Sequence, residues 1–165
     1  MNVGIVGFGS IGSEVAKALI NGVEDFSLYG ITSRSKSKAK ERIAKLDKNI
    51  KIYDLETLVD NCEIIIDCAP KEAFRDIATK CINKERKLIT VSGSGILDNL
   101  DLEELAKTNN SQIILATGAI LGLDALRAAA ESNINSVTMT TRKPPNALSN
   151  LSLIHISEPT RQASI

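Results

Sequence analysis

The chain has 165 residues, enough to bury the core of one domain and to begin a second. Lysine and arginine together number 20, as do aspartate and glutamate, and aromatic residues make up only 3% of the chain. Without a net positive field or stacking platforms, no nucleic acid partner is expected. The longest uncharged apolar run, residues 113–123, is shorter than the ~20 residues that span a bilayer, so no membrane span is expected.

The cysteines and the amino terminus indicate the cell compartment. Cys62, Cys68 and Cys81 are odd in number and form no Cys-x-x-Cys pair, which predicts neither a disulfide framework nor a metal site. The amino terminus lacks a basic segment followed by an apolar stretch and a cleavage site. We therefore expect a cytoplasmic protein in which each thiol is a small buried hydrophobe.

The first quarter of the chain has the pattern of a strand, a tight turn and a helix. The segment MNVGIVGFGSIGSEVAKALIN begins with an apolar run, breaks into glycines and then carries Ile11, Val15 and Leu19 at a spacing of four. Gly22 follows as a helix terminator, and DFSLYGITS is rich in β-forming residues. We predict a second strand there.

The middle of the chain repeats this alternation. SKSKAKERIAKL predicts a basic helix, KIY a short strand, and Asp54 the cap of a brief helix. EIIID predicts a strand buried on both faces. Pro70 then stands near the start of a helix with one buried side, made of Phe74, Ile77, Ala78 and Cys81.

Further strands are predicted at KLITVS and QIILA, with helices at LEELAKT and LDALRAAAES. Parallel strands need helical crossovers, so this order predicts an α/β fold with a doubly wound parallel sheet. Polar alternation in SVTMTTRKPP predicts a strand with one wet face, the start of a truncated second α/β domain. We place the first domain at residues 1–118 and the linking helix and strand at residues 119–150.

A glycine motif stands between the first strand and the first helix, as in a dinucleotide-binding Rossmann-type domain. Its residues are Gly7, Phe8, Gly9, Ser10, Ile11 and Gly12. Gly7 serves a tight turn, Gly9 lets the backbone approach a diphosphate, and Gly12 lets the helix pack close to the strand. The helix amides then face the phosphates. The alternative is a glycine-rich turn used for packing alone.

Coenzyme selectivity is expected at the end of the second strand, where a carboxylate would bind the ribose hydroxyls of NAD. Ser33 and Arg34 stand there instead, with Lys36 and Lys38 nearby. A guanidinium and hydroxyls suit a 2′-phosphate, so we expect NAD(P) binding with NADP slightly favoured. The alternative is that these cations form only the solvated start of a basic helix.

Two late segments, ATGAILGLDALRAAA and SVTMTTRKPP, resemble the L-aspartate dehydrogenase family. GIVGFGSIG, IIIDCAP and LITVSG match that family in order and spacing, so the resemblance covers residues 2–148. It implies NAD(P)-dependent oxidative deamination of L-aspartate to iminoaspartate, or oxaloacetate and ammonia, linked to pyridine nucleotide synthesis. It also implies a homodimer and a coenzyme contact at Ala119. Arg142 and Lys143 invite a substrate-carboxylate role, or are exposed charges at a strand end.

The only histidine, His155, has no match to the catalytic histidine segment that the resemblance implies farther along such chains. LSLIHISEPTR resembles the conceptual translation of a sequencing adapter, so residues 151–165 are expected to be a non-native tail. We assign no catalytic residue, and we expect this fragment to bind coenzyme without turnover. Two alternatives stay open: another two-domain imine or ketone oxidoreductase, and a non-catalytic dinucleotide-sensing domain.

Overall fold

The computed structural model describes residues 1–46, 49–117 and 122–138. Strands and helices alternate along this part of the chain. The strands are β1 (Asn2–Val6), β2 (Ser27–Thr32), β3 (Ile64–Asp67), β4 (Lys87–Thr90) and β5 (Gln112–Leu115). The helices are α1 (Ser10–Gly22), α2 (Lys36–Leu46), α3 (Leu55–Asn61), α4 (Phe74–Asn83), α5 (Gly93–Leu97), α6 (Asp101–Thr108) and α7 (Leu123–Ala129), with a 3-10 turn at Lys71–Ala73.

The five strands form one parallel sheet in the order β2-β1-β3-β4-β5. The order reverses between β1 and β3, because the chain leaves β1 on one side and returns on the other. At the carboxyl end Val6 pairs with Asp67, and Asp67 pairs with Thr90. The predicted doubly wound parallel sheet is confirmed, and the carboxyl ends of its strands share one edge.

Two apolar clusters cover the two faces of the sheet. Val6 and Ile65 belong to one cluster with residues of α3, α4 and α6, whereas Ile5 belongs to the other with residues of α1 and α2. Successive residues of a strand point to opposite faces, so neighbouring residues such as Ile5 and Val6 serve different clusters. Burial on both faces explains why these strands are apolar without alternation.

The predicted helix faces and cap agree with the structure. The four residues expected on the buried side of α4 are all buried: Phe74, Ile77, Ala78 and Cys81. The Asp54 carboxylate accepts a hydrogen bond of 2.7 Å from the Thr57 amide at the start of α3. This bond lowers the pKa of Asp54.

The short strand predicted at KIY is reduced to one bridge. Ile52 pairs in parallel with Ile31 of β2. The Ile31 amide donates to the Lys51 carbonyl and the Tyr53 amide to the Ile31 carbonyl, both at 2.9 Å. The prediction of a strand was therefore wrong in extent, because pairing stops after one residue.

The chain divides into two units, Met1–Ala119 and Ile120–Ile165. The first contains the sheet and helices α1 to α6, and the second contains α7. Of the strand predicted from Ser136 onward, residues 136–138 have no regular secondary structure, and the remainder lies outside the described residues. The predicted domain boundaries and the non-native tail stay predictions.

No helix in the described ranges is long and apolar enough to cross a membrane. Within the same ranges, no three His, Cys, Asp or Glu side chains come together as a metal site would require. The three cysteines are free; Cys62 and Cys81 are buried as expected, whereas Cys68 is only partly buried, so that expectation was wrong for Cys68. Burial raises the pKa of the thiols of Cys62 and Cys68 to about 11 and that of Cys81 to about 12, so all three stay protonated near neutral pH.

Two glycines of α5 provide a matched test of how tightly this helix packs against its neighbours. A Cβ on Gly95 would lie 2.7 Å from Phe74 Cγ and from Ser92 Oγ, whereas a Cβ on Gly93 would approach only Leu115, at 3.9 Å. Gly95→Ala is expected to lower the free energy of unfolding by about 1–3 kcal/mol through overpacking. Gly93→Ala is expected to leave it unchanged or higher. Denaturant unfolding of both variants checks this; equal effects would contradict the packing.

Candidate functional site

The turn after β1 needs a glycine at its first position. Gly7 has φ +88°, and a Cβ there would lie 2.7 Å from the Cys68 carbonyl and the Ala69 amide. The Gly7 amide donates to the Thr32 carbonyl at the end of β2, at 2.9 Å. The turn is therefore enclosed between the ends of β2 and β3, where only hydrogen fits.

The other two glycines of the motif have different surroundings. A Cβ on Gly12, which is buried in the first turn of α1, would lie 2.1 Å from the Gly7 carbonyl oxygen. A Cβ on Gly9 would meet nothing within 4 Å. Gly12 thus serves contact between α1 and the end of β1, whereas Gly9 leaves open space beside its backbone. A dinucleotide diphosphate needs such access to the backbone.

The start of α1 has the features of an anion site. Gly9 precedes the helix without a side-chain capping bond, and the first turn contains no acidic residue. The Ser13 amide donates to the Gly9 carbonyl at 3.0 Å, which begins the helical hydrogen bonds. Amides before Ser13 have no acceptor within a helix, so they and the helix dipole can stabilise a phosphate.

The remaining motif residues differ in exposure. Phe8 is 3% exposed and its ring lies in the apolar cluster under α1 and α2, so only its backbone can meet a ligand. Ser10 is exposed and Ile11 is 53% exposed. The sequence motif does not distinguish these three positions. In the structure only Ser10 and Ile11 have side chains that a ligand could contact.

The predicted selectivity residues lie at the same edge of the sheet as the glycine turn. Ser33 and Arg34 directly follow β2, whose last carbonyl, that of Thr32, accepts the hydrogen bond from Gly7. Arg34 is exposed and Ser33 is half-buried. Side chains at this place can reach a ribose and its substituents.

Arg42 was not singled out in the sequence, although it stands in the predicted basic helix. Its guanidinium reaches across 34 residues to donate a hydrogen bond to the Phe8 carbonyl. A partly buried arginine on α2 thus fixes the backbone of the glycine loop and brings positive charge to it. Nothing in the helical spacing indicates that contact.

Ala119, predicted to contact the coenzyme, lies outside the described residues. So do Arg142 and Lys143, considered for a substrate carboxylate, and His155, to which no role was assigned. These assignments stay predictions.

A buried polar chain at the ends of β3 and β4 was also missed. Asp67 is 1% exposed and Thr90 is fully buried. The carboxylate accepts hydrogen bonds from the Ala69 amide, at 2.9 Å, and the Thr90 hydroxyl, at 2.7 Å. The Thr90 oxygen accepts from the Ser92 amide at 3.0 Å, and the Ser92 hydroxyl oxygen accepts from the Gly95 amide at 3.2 Å. Burial raises the pKa of Asp67, while the bonds from Ala69 and Thr90 oppose that rise.

These residues fit a nicotinamide dinucleotide. The open backbone at Gly9 and the amides of α1 suit the diphosphate, and the residues after β2 suit the adenosine ribose. Together with the reversal of strand order at β1 and β3, this arrangement defines the coenzyme-binding domain of a dehydrogenase.

Residues 7–116 match the model of the homoserine dehydrogenase NAD-binding domain. The match covers more than half of the chain, and the chain belongs to this family of nicotinamide-coenzyme-binding domains. The coenzyme class expected from the glycine motif is confirmed; the match leaves the choice between NAD and NADP open.

The resemblance to L-aspartate dehydrogenases is confirmed at the level of sequence. The chain is 36% identical over 148 residues to L-aspartate dehydrogenase of Bradyrhizobium diazoefficiens, covering 90% of this chain and 52% of the relative. It is also 36% identical over 149 residues to that of Methanocella arvoryzae, covering 88% of this chain and 55% of the relative. The chain thus spans about half the length of the curated relatives it matches.

Solved structures support the fold alone. A probable dehydrogenase from Thermotoga maritima superposes with a TM-score of 0.64 at 19% identity, covering 79% of this chain and 41% of the other. Scyllo-inositol dehydrogenase from Lactobacillus casei gives a TM-score of 0.61 at 16% identity, with 79% and 40% covered. Similar folds at such low identity host different chemistries.

The open space at Gly9 predicts separate effects on stability and binding. Gly9→Ala is expected to leave the free energy of unfolding unchanged, since φ is −86° and no atom opposes the Cβ. It should raise the coenzyme Kd by about tenfold or more if a diphosphate lies against that backbone. Gly12→Ala should reduce both stability and binding, because its Cβ meets the Gly7 carbonyl. Calorimetric titration and thermal unfolding decide; unchanged coenzyme affinity in Gly9→Ala would contradict the site.

Proposed function

We propose that this chain is the coenzyme-binding part of an NAD(P)-dependent L-aspartate dehydrogenase, which converts L-aspartate to iminoaspartate. The observation that carries the proposal is the 36% identity to L-aspartate dehydrogenases over about 90% of the chain, combined with the glycine cradle at the start of α1. The substrate is accordingly a small dicarboxylic amino acid. The proposal includes a cytoplasmic homodimer, as the family resemblance and the lack of a disulfide framework in the sequence imply.

The residues of this chain bind and orient the coenzyme. Backbone amides at Gly9 and Ser10 hold the diphosphate, while Arg42 keeps the Phe8 carbonyl, and with it the loop, in place. A nicotinamide held there would supply the hydride acceptor for oxidation of the carbon that carries the amino group. Preorganised backbone donors supply orientation without a change of the loop at each turnover.

The proposed contacts extend to the coenzyme's adenosine end and to Ala119. Ser33 and Arg34 face the adenosine ribose, with Arg34 favouring a 2′-phosphate, so NADP is bound somewhat more tightly than NAD. Gly7, Phe8, Ile11 and Gly12 contribute through the backbone of the loop, and Ala119 contacts the coenzyme as the family resemblance implies. Arg34 is exposed, so its charge is available to such a phosphate.

Replacing the cation after β2 tests coenzyme choice. Arg34→Asp is expected to raise the Kd for NADPH by about tenfold or more and to change that for NADH little, because an acid repels the 2′-phosphate but accepts from ribose hydroxyls. Lys40→Asp makes the same charge change on an exposed residue of α2 and should leave the ratio of the two Kd values as it is. An unchanged ratio in Arg34→Asp would remove this residue from the selectivity site.

The activity itself requires a direct assay. A protein of the relatives' length that contains this chain is expected to reduce NAD(P) in the presence of L-aspartate and to release ammonia. Absorbance of the reduced nicotinamide follows the reaction. L-homoserine, L-glutamate and D-aspartate are the comparison substrates, the first because of the family whose model the chain matches. Preferential oxidation of L-homoserine would contradict the proposed substrate and leave coenzyme binding intact.

A further inference from the structure

Asp67 is a buried carboxyl group whose hydrogen bonds, from the Ala69 amide and the Thr90 hydroxyl, favour its ionised form and oppose the rise of its pKa that burial causes. The Thr90 hydroxyl has one proton, and its oxygen already accepts from the Ser92 amide, so that proton points to Asp67. The other carboxylate oxygen accepts from the Ala69 amide. A carboxylate satisfies both donors. If Asp67 were protonated, its own proton would have no acceptor among these hydrogen bonds.

No cation balances this charge within the part of the chain that the structure describes. The ion pairs there do not include Asp67, and the only groups that offset the effect of burial are the Ala69 amide and the Thr90 hydroxyl. Buried carboxylates without a cation are costly, and their persistence usually has a functional reason. A positively charged group at this place would therefore be stabilised.

Asp67 lies at the end of the sheet where we expect the nicotinamide to bind. Asp67 ends β3 and pairs with Val6, the residue before the glycine turn, so it stands where the strand order reverses. The crevice at such a reversal holds the coenzyme across two halves of the sheet. Ser33 and Arg34, after β2, mark the half that takes the adenosine end. The strands β3, β4 and β5 then form the half that takes the nicotinamide end.

We propose that Asp67 is a positioning residue of the nicotinamide half, which joins the loops after β3 and β4 and whose negative charge favours the oxidised coenzyme over the reduced one. The oxidised nicotinamide ring carries a positive charge that the reduced ring lacks. Through Ala69 the carboxylate also holds the loop on which Gly7 packs. This inference rests on the coenzyme binding proposed above.

The test compares two dissociation constants for the oxidised and reduced forms of whichever coenzyme binds more tightly. Asp67→Asn removes the charge at nearly constant shape and is expected to raise the ratio of the oxidised to the reduced Kd by about five- to tenfold. Thr90→Val is the matched control: it breaks the same link between the loops but keeps the carboxyl group. Because it also removes a hydrogen bond that opposes the rise of the Asp67 pKa, the variants are compared at mildly alkaline pH, where the carboxyl group is ionised and both constants should rise together at a constant ratio.

The outcomes separate this inference from the proposed function. Binding of both coenzyme forms by the wild type, with equal ratios in Asp67→Asn and wild type, would overturn the inference and leave the proposed function standing. A ratio that changes as much in Thr90→Val would overturn it as well, because loop geometry and not charge would then be responsible. Failure of the wild type to bind either form would overturn both proposals.

A measurement on the wild type serves if Asp67→Asn does not fold. A positive ring lowers the pKa of Asp67 on binding, so the oxidised coenzyme should release protons at mildly acidic pH and the reduced one should release fewer. The heats of titration in two buffers of different ionisation enthalpy give the number released. Among the described residues, the charge of Asp67 raises the pKa of the thiols of Cys68, on its own loop, and Cys81, on α4, and both thiols stay protonated in this range. Equal release with both forms would overturn the inference.

Discussion

The rest of this domain depends on the close approach of three backbone segments. They can meet only because glycine, which has no side chain, stands at the points of contact. The end of β1, the start of α1 and the loop after β3 meet at Gly7 and Gly12. A Cβ at either position would overlap backbone atoms, at 2.7 and 2.1 Å. This contact sets α1 over the sheet edge, and its unpaired amides therefore face the crevice in which a coenzyme binds.

The same edge combines opposite charges in separate places. Cations follow β2 and extend along α2, where Arg42 holds the glycine loop by the Phe8 carbonyl. The buried carboxylate of Asp67 lies on the other side of β1, at the end of β3. The coenzyme has a matching asymmetry, since its phosphates are negative and its oxidised ring is positive. Complementarity of this kind orients a ligand more than it adds to affinity.

The fold and the proposed amino acid substrate are supported by different observations. The superposed structures include scyllo-inositol dehydrogenase at 16% identity, so the sheet by itself is compatible with many substrates. The sequence likeness to L-aspartate dehydrogenases is higher and extends over almost the whole chain, yet it spans only about half of those proteins. Coenzyme binding is therefore a property of the family, whereas the amino acid substrate remains our proposal.

The sequence by itself determined the order of the five strands and of the helices other than α5, which was not predicted, together with the glycine turn, the Asp54 cap and the buried side of α4. Each depends on residues within one or two turns of one another, and local spacing records such relations. Only the tertiary structure decided that Ile52 forms a single bridge, that Phe8 is buried, that Arg42 contacts the Phe8 carbonyl, and that Asp67 is buried against Thr90. Asp67 and Thr90 are separated by 23 residues and become neighbours through strand pairing, which neither composition nor periodicity encodes.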